Sequence, residues 1–114
     1  MLSKESLAAF GANCDEGLSR CMNNETLYFK LVQMALGDGK LAALRKALEA
    51  GNLDESFELA HALKGVYANL ALTPIHAPLS ALTEKLRARD GSGWEPLLAE
   101  AEKQAAALAA LCAG

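Results

Sequence analysis

Hydrophobic residues recur along the chain at intervals of three and four rather than two, which is the period of an amphipathic helix. Alanine, leucine, lysine and glutamate dominate the sequence, and β-branched residues are scarce. No segment alternates polar and apolar residues for long. These features predict an all-α protein.

Glycine and asparagine residues divide this helical pattern into segments. Asn13 is followed three residues later by Glu16, and Asn52 in the same way by Glu55, which is the capping-box pattern of a helix start. The predicted helices cover residues 2–10, 13–22, 24–36, 40–50, 52–72, 74–89 and 94–112.

The Thr73-Pro74 pair separates two of these predicted helices. Threonine is a good N-cap and proline suits the first helical position, so we expect Thr73 to cap the helix that follows. Every connection between helices is short, which favours antiparallel neighbours. The expected fold is an antiparallel up-down four-helix bundle with short additional N-terminal helices, forming one domain over residues 1–114.

The helix predicted over residues 52–72 has two different faces. At about 100° per residue, one apolar stripe is expected to face the core and consists of Leu59, Leu63, Val66 and Leu70. The opposite face carries Phe57, His61, Lys64, Gly65 and Ala68. A histidine in this position should face solvent, and the small residues after it leave room for another protein to approach the imidazole.

His61 and Lys64 form a candidate pair for nucleophilic chemistry. A neutral imidazole nitrogen can accept a phosphoryl group, and a nearby lysine can hold the phosphate oxygens as a point charge. An ordinary surface histidine with a lysine three residues later gives the same pattern. The helical wheel alone leaves both interpretations open.

The segment AHALKGVYANL, at residues 60–70, resembles the signature of the histidine-containing phosphotransfer (HPt) domain of bacterial type. In that signature the phospho-accepting histidine is followed by leucine or isoleucine, then Lys-Gly, then a small residue one turn later. The similarity is also seen at residues 28–52, 72–74 and 79–87, and in all it covers about residues 13–90. The chain departs from the pattern at Ala71, where many members have glycine, and at Tyr67, which is bulkier than the residue often found there.

The resemblance implies a role for each residue on this face. His61 would be the phosphorylated residue and Lys64 its phosphate-facing neighbour. Gly65 and Ala68 would let a partner close over the imidazole. Phe57, which the helical wheel places on the same face, is expected to take part in docking. The implied partners are receiver domains of response regulators and a hybrid sensor histidine kinase. The chain would thus carry a phosphoryl group between receiver aspartates in a multistep two-component phosphorelay.

The sequence has no sign of an ATP-dependent activity. No glycine-rich GxxxxGK[ST] loop occurs, and 114 residues are too few for a kinase domain in addition to the bundle. We therefore expect a phosphocarrier rather than an enzyme, without a cofactor or a metal site, since Mg²⁺ would belong to the receiver. Two alternatives stay open: a non-phosphorylated helical adaptor that uses the same face, and, more remotely, a metal- or haem-binding bundle.

Composition narrows the class of partner further. The net charge of −3 and the pI near 5.3 argue against binding to nucleic-acid phosphates. The apolar run at residues 105–113 is about half of the roughly 20 residues needed to cross a bilayer. The N-terminus lacks the basic and apolar blocks of a signal peptide. We expect a cytoplasmic monomer that does not bind membranes.

Other polar candidates have weaker patterns. Cys14, Cys21 and Cys112 are an odd number without a CxxC pair, so we expect buried free thiols. His76 lies in the first turn after Thr73-Pro74, where a positive charge would oppose the helix dipole. A second phosphoryl acceptor is therefore not expected there.

The helix predicted over residues 24–36 has two apolar stripes. One consists of Leu27, Leu31 and Met34, and the other of Phe29, Val32 and Leu36. One stripe is expected to face the core. The second either packs under the N-terminal helices or stays exposed as a docking patch.

Overall fold

The computed structural model describes residues 2–113 as a set of helices joined by short loops. The helices are α1 (Lys4–Phe10), α2 (Cys14–Arg20), α3 (Glu25–Leu36), α4 (Lys40–Glu49), α5 (Leu53–Asn69), α6 (Thr73–Arg87) and α7 (Glu95–Ala113). No strand occurs within residues 2–113, so the predicted all-α class is confirmed. Each predicted helix is present, with ends shifted by up to three residues.

The three longest helices, α5, α6 and α7, pack in sequence and form three sides of a bundle. Two shorter helices share the fourth side. At 1.5 Å per residue, the 10 residues of α4 span about 15 Å and leave part of α5 uncovered. The helix α3 packs against this uncovered part, where the Tyr67 hydroxyl donates a hydrogen bond of 3.3 Å to the Ala35 carbonyl of α3. The predicted antiparallel four-helix bundle is therefore confirmed, with α3 and α4 in series at its fourth position.

A charged contact ties α4 to α7. The Arg45 guanidinium donates to both carboxylate oxygens of Glu102, with distances of 2.8 Å from Nε and 2.6 Å from Nη2. Its Cζ also lies 5.8 Å from the centre of the Trp94 ring. The hydrogen bonds from Arg45 lower the pKa of Glu102. This bidentate pair fixes the register of the fourth side against α7.

The two N-terminal helices close the end of the bundle at which α5 ends. Leu7 of α1 and Leu18 of α2 are buried and join the same core cluster as the other five helices. The backbone N–H of Asn13 donates to the Ala71 carbonyl at 3.0 Å, directly after α5. The two helices are thus the short additions predicted from the sequence, and they hold the turn between α5 and α6.

Three asparagines cap helices. The side-chain oxygens of Asn13, Asn24 and Asn52 accept backbone N–H groups three residues later, at 3.2, 3.1 and 3.1 Å. The prediction for Thr73 is wrong. Thr73 is the first residue of α6, and its N-cap is Leu72, whose carbonyl accepts the N–H groups of the third and fourth residues of that turn.

The helix α5 ends earlier than predicted because a Schellman motif terminates it. The N–H of Leu72 donates to the Tyr67 carbonyl, and the N–H of Ala71 to the Ala68 carbonyl, both at 3.0 Å. This geometry places Ala71 in the left-handed region, with φ of 58°. A left-handed position favours glycine, which accounts for the glycine of the family pattern there.

We expect Ala71→Gly to raise the free energy of unfolding by about 0.5–1 kcal/mol. A left-handed residue with a Cβ costs about 1–2 kcal/mol, and the extra freedom of glycine in the unfolded chain offsets part of the gain. Urea unfolding measures the difference. Ala50→Gly is the matched control, since Ala50 ends α4 with an ordinary φ of −79° and should lose stability. A loss of stability in both variants would contradict the prediction.

The two apolar stripes expected on α3 are not its buried face. The buried residues are Tyr28, Val32 and Ala35, so that only Val32 of the two stripes is buried, and the centre of the buried face lies between them. Most of the stripe residues are half-buried, and Met34 is 58% exposed. Leu31 and Met34 line an apolar groove with Val66 of α5.

The expectation for the cysteines holds only in part. All three are free thiols, but only Cys21 is buried, whereas Cys14 and Cys112 are half-buried. The Cys14 thiol points to the Lys4 carbonyl at 3.5 Å.

Candidate functional site

The face that α5 buries overlaps the predicted stripe in part, since Leu63 and Leu70 are buried as expected. Its buried residues are Ser56, Ala60, Leu63 and Tyr67, whereas Leu59 and Val66 are only half-buried. The buried positions outside the stripe carry small or hydroxyl-bearing side chains, which a wheel of large apolar residues does not mark. The centre of the buried face therefore lies about 130° from His61 rather than opposite to it.

Tyr67 belongs to the core and not to the surface around His61. Its side chain is 1% exposed, and its hydroxyl is bound to the Ala35 carbonyl. Burial raises the pKa of this phenol to about 12. The bulk that distinguishes this residue from the family pattern is thus directed into the bundle, and it leaves the exposed face of α5 open.

His61 lies near the middle of α5 and is exposed. Within residues 2–113 its imidazole has no hydrogen-bond partner, and its one ring contact is with Phe57. The two ring centres are 5.6 Å apart, and the ring planes are inclined by 16°. The nitrogens are therefore free to react, while the ring plane is held by a neighbour.

Phe57 contacts both His61 and the next helix. It is half-buried, and the Arg87 guanidinium of α6 lies 5.2 Å from the centre of its ring. Arg87 is itself bound to Glu84 through a 3.1 Å ion pair. Sequence reasoning placed Phe57 on this face but did not pair it with Arg87, since no local pattern indicates which residue of α6 will contact it.

Lys64 lies one turn after His61 and is half-buried. It has no hydrogen bond or ion pair with any residue of the part that the structure describes, so its ammonium is available to a ligand. Gly65 is exposed, and a Cβ added to it would meet nothing within 4 Å. Ala68 is half-buried one turn further on. The face predicted from the sequence is therefore assembled around His61.

Arg20 of α2 is a contributor that the sequence did not reveal. Its Nη1 donates to the Ala68 carbonyl at 2.8 Å and to the Asn69 carbonyl at 3.1 Å, and its Nη2 binds Glu16. The guanidinium thus satisfies carbonyl groups at the end of α5, where the helix dipole favours a cation. His76 is half-buried and lines the same groove as Arg20.

No group of three or more histidine, cysteine, aspartate or glutamate side chains within residues 2–113 is arranged to hold a metal ion. In the same part of the chain, no helix is long and apolar enough to cross a membrane.

The fold and the exposed face of α5 together define a helical-bundle module that presents a histidine. Comparison with known families matches residues 34–112 to the Hpt domain, and the chain belongs to that family. The match covers more than half of the chain and includes α7, which carries no distinctive motif. No curated protein and no solved structure matches the chain.

Membership of the family sets the general function. Hpt domains are phosphocarriers in phosphorelays and not kinases, and they interact with receiver and kinase domains. The recognition of an HPt domain from the residues around His61 is thereby confirmed.

Proposed function

We propose that this protein carries a phosphoryl group on His61 between the aspartates of receiver domains in a multistep two-component phosphorelay. One observation supports this most directly. His61 and Lys64 lie one turn apart within the segment that matches the family, and neither has a polar partner in residues 2–113. A hybrid sensor histidine kinase and response-regulator receivers are the partners of such a carrier. We propose that residues 1–114 act as one monomeric Hpt domain.

The transfer exchanges one bond for another and needs no cofactor bound to this chain. The lone pair of the unprotonated imidazole nitrogen forms the N–P bond while the P–O bond of the receiver's aspartyl phosphate breaks. The electrons of that bond leave with the aspartate carboxylate. The product ring keeps its N–H and can release one proton to water. The receiver supplies Mg²⁺, and the reverse step passes the group to a second receiver. Catalysis then depends mainly on alignment and charge neutralisation.

Lys64 is proposed to hold the phosphoryl oxygens. Lys64→Ala should shorten the lifetime of phosphohistidine or slow transfer, because the ammonium interacts more strongly with a dianion than with a neutral imidazole. The variant should fold normally, since the Lys64 ammonium has no hydrogen bond or ion pair to lose within residues 2–113. Decay of the labelled protein at constant pH measures the lifetime. Lys46→Ala on α4 is the matched control; a thermal destabilisation with unchanged decay would show that Lys64 is structural instead.

Gly65 and Ala68 are proposed to keep the docking face free of bulky side chains, so that a receiver can approach His61. Gly65→Ala should raise the free energy of unfolding by up to about 1 kcal/mol, because alanine is the better helix former and its Cβ enters open space. Gly65→Gln should fold as well but weaken receiver binding and transfer together. Ala68→Arg should have the same effect. Transfer at the wild-type rate in both bulky variants would contradict this role.

The proposed function is tested by mixing the protein with a panel of phosphorylated receiver domains and following the label. A cognate receiver should transfer it to the protein as an acid-labile, alkali-stable phosphoryl group. Addition of a second receiver should then remove the label. Stable receiver binding without labelling would favour the adaptor function and overturn the proposal.

A further inference from the structure

We propose that Phe57 is a positioning residue, which fixes the plane of the His61 imidazole and is itself held by Arg87 of α6. The inference rests on the proposed function and deepens it. It assigns Phe57 a role in the transfer step, in place of the simple docking role expected from the helical wheel.

The first argument is the geometry of the two rings. Phe57 precedes His61 by four residues, so that both side chains lie on the same face of α5. Their centres are 5.6 Å apart and their planes are inclined by only 16°. This separation lies within the range of attractive offset stacking, about 4.5–7 Å. The stack therefore favours one orientation of the imidazole.

The second argument is that no other group in residues 2–113 orients the imidazole. Histidines that react are commonly fixed by a hydrogen bond to one ring nitrogen, which leaves the other nitrogen aimed at the substrate. In residues 2–113 no such partner reaches His61. The ring contact with Phe57 is thus the restraint that this part of the chain supplies, and both nitrogens stay unblocked.

The third argument is that Phe57 is restrained from a second helix. The Arg87 guanidinium lies 5.2 Å from the centre of the Phe57 ring, within the distance at which a cation and an aromatic face attract each other. Glu84 binds the guanidinium from one turn earlier on α6. Arg87 and Glu84 together hold Phe57, and Phe57 holds His61, so that α6 sets the orientation of a side chain on α5.

The consequence for transfer is specific. The attacking nitrogen must align with the phosphorus atom and the leaving oxygen, and misplacement of a reacting atom by about 1 Å can cost about a hundredfold in rate. Phe57 has no polar group for the phosphoryl oxygens, so it acts through the imidazole. Its loss should lower the maximal rate of transfer, whereas loss of a docking residue would raise the receiver concentration needed for half-maximal rate.

The test compares Phe57→Leu, Phe57→Tyr and Arg87→Leu with the wild-type protein. Phe57→Leu keeps an apolar side chain but removes the ring, and Phe57→Tyr keeps the ring. Phe10→Leu is the matched control, since Phe10 is also half-buried but lies at the end of α1. Two quantities are measured: the transfer rate from a phosphorylated receiver as a function of its concentration, and the NMR shifts of the imidazole protons of His61.

We expect Phe57→Leu to lower the maximal rate by about tenfold with little change in the half-saturating concentration. Arg87→Leu should have a smaller effect of the same kind, and Phe57→Tyr and Phe10→Leu should stay close to wild type. The ring-current shift of the His61 protons should be present in the wild type and in Phe57→Tyr, and lost in Phe57→Leu.

Each outcome decides the question. A wild-type maximal rate in Phe57→Leu, or a change confined to half-saturation, would overturn the positioning role while leaving phosphotransfer by His61 intact. Absence of the ring-current shift in the wild type would overturn it as well. Absence of any transfer to the wild-type protein from a receiver panel would overturn the proposed function, and this inference with it.

Discussion

His61→Gln is expected to abolish phosphoryl transfer to the protein. Glutamine keeps a polar side chain of similar length, but its amide nitrogen has no available lone pair and cannot form the N–P bond. The fold should be unaffected, because His61 is exposed and has no hydrogen bond to lose within residues 2–113. The measurement is the acid-labile label acquired from a phosphorylated receiver, with circular dichroism to verify that the helices remain.

The control for this experiment is His76→Gln, which changes the other histidine of the chain. His76 lies in the first turn of α6, where a phosphorylated ring would be reached through the groove lined by Glu16 and Arg20. We expect its variant to be labelled at the wild-type rate. Label that persists in His61→Gln and disappears in His76→Gln would move the acceptor to α6 and contradict the assignment.

The helices and most caps were predictable because their causes are local. The side-chain oxygens of Asn13 and Asn52 each accept a hydrogen bond from the backbone N–H three residues later. The sequence pattern and the cap that it predicts therefore lie within one short segment. The period of α5 likewise placed Phe57, His61 and Lys64 on one face. A helical wheel assigns residues to faces from the helical repeat alone, and the predicted helix is present in the structure.

The parts that could not be predicted depend on distant contacts. Tyr67 can be buried without an unpaired hydroxyl because the Ala35 carbonyl, 32 residues away, accepts its hydrogen bond. Arg20 reaches the end of α5 across 48 residues. A wheel that follows large apolar side chains marks Leu59 and Val66 as core positions and leaves out Ser56, which is buried. The contact of Arg87 with Phe57 has the same origin, since it depends on how α6 packs against α5.

Ala71 shows a different limit. The sequence revealed an alanine where many family members have glycine, but the reason is conformational. The Schellman turn requires a left-handed residue, and the chain places a residue with a Cβ there. The sequence pattern thus identified Ala71 as unusual, and the left-handed backbone gives the physical reason.

Gly17→Ala is expected to destabilise the protein by about 2–3 kcal/mol, because overpacking a close contact typically costs about 1–3 kcal/mol and a buried hydrogen bond is strained as well. A Cβ at Gly17 would lie 2.6 Å from both Cζ and the hydroxyl oxygen of Tyr28. The Tyr28 ring is fully buried, and its hydroxyl donates to the Leu70 carbonyl at 2.7 Å. Burial also raises the pKa of this phenol to about 12. The ring therefore has no free direction in which to move.

Thermal and urea unfolding of Gly17→Ala and Gly65→Ala test this directly, since the same substitution is made in two helices with opposite expected signs. In Gly65→Ala the Cβ meets nothing within 4 Å, and stability should rise. Combining Gly17→Ala with Tyr28→Leu should cost less stability than the sum of the two single changes, because the shorter side chain makes room for the Cβ.

The Gly17→Ala substitution should also affect the candidate site. Because α2 carries Arg20, a displacement of α2 would break the hydrogen bonds from Arg20 to the Ala68 and Asn69 carbonyls at the end of α5. If Gly17→Ala unfolds at the wild-type temperature, α2 is not packed against Tyr28 as described.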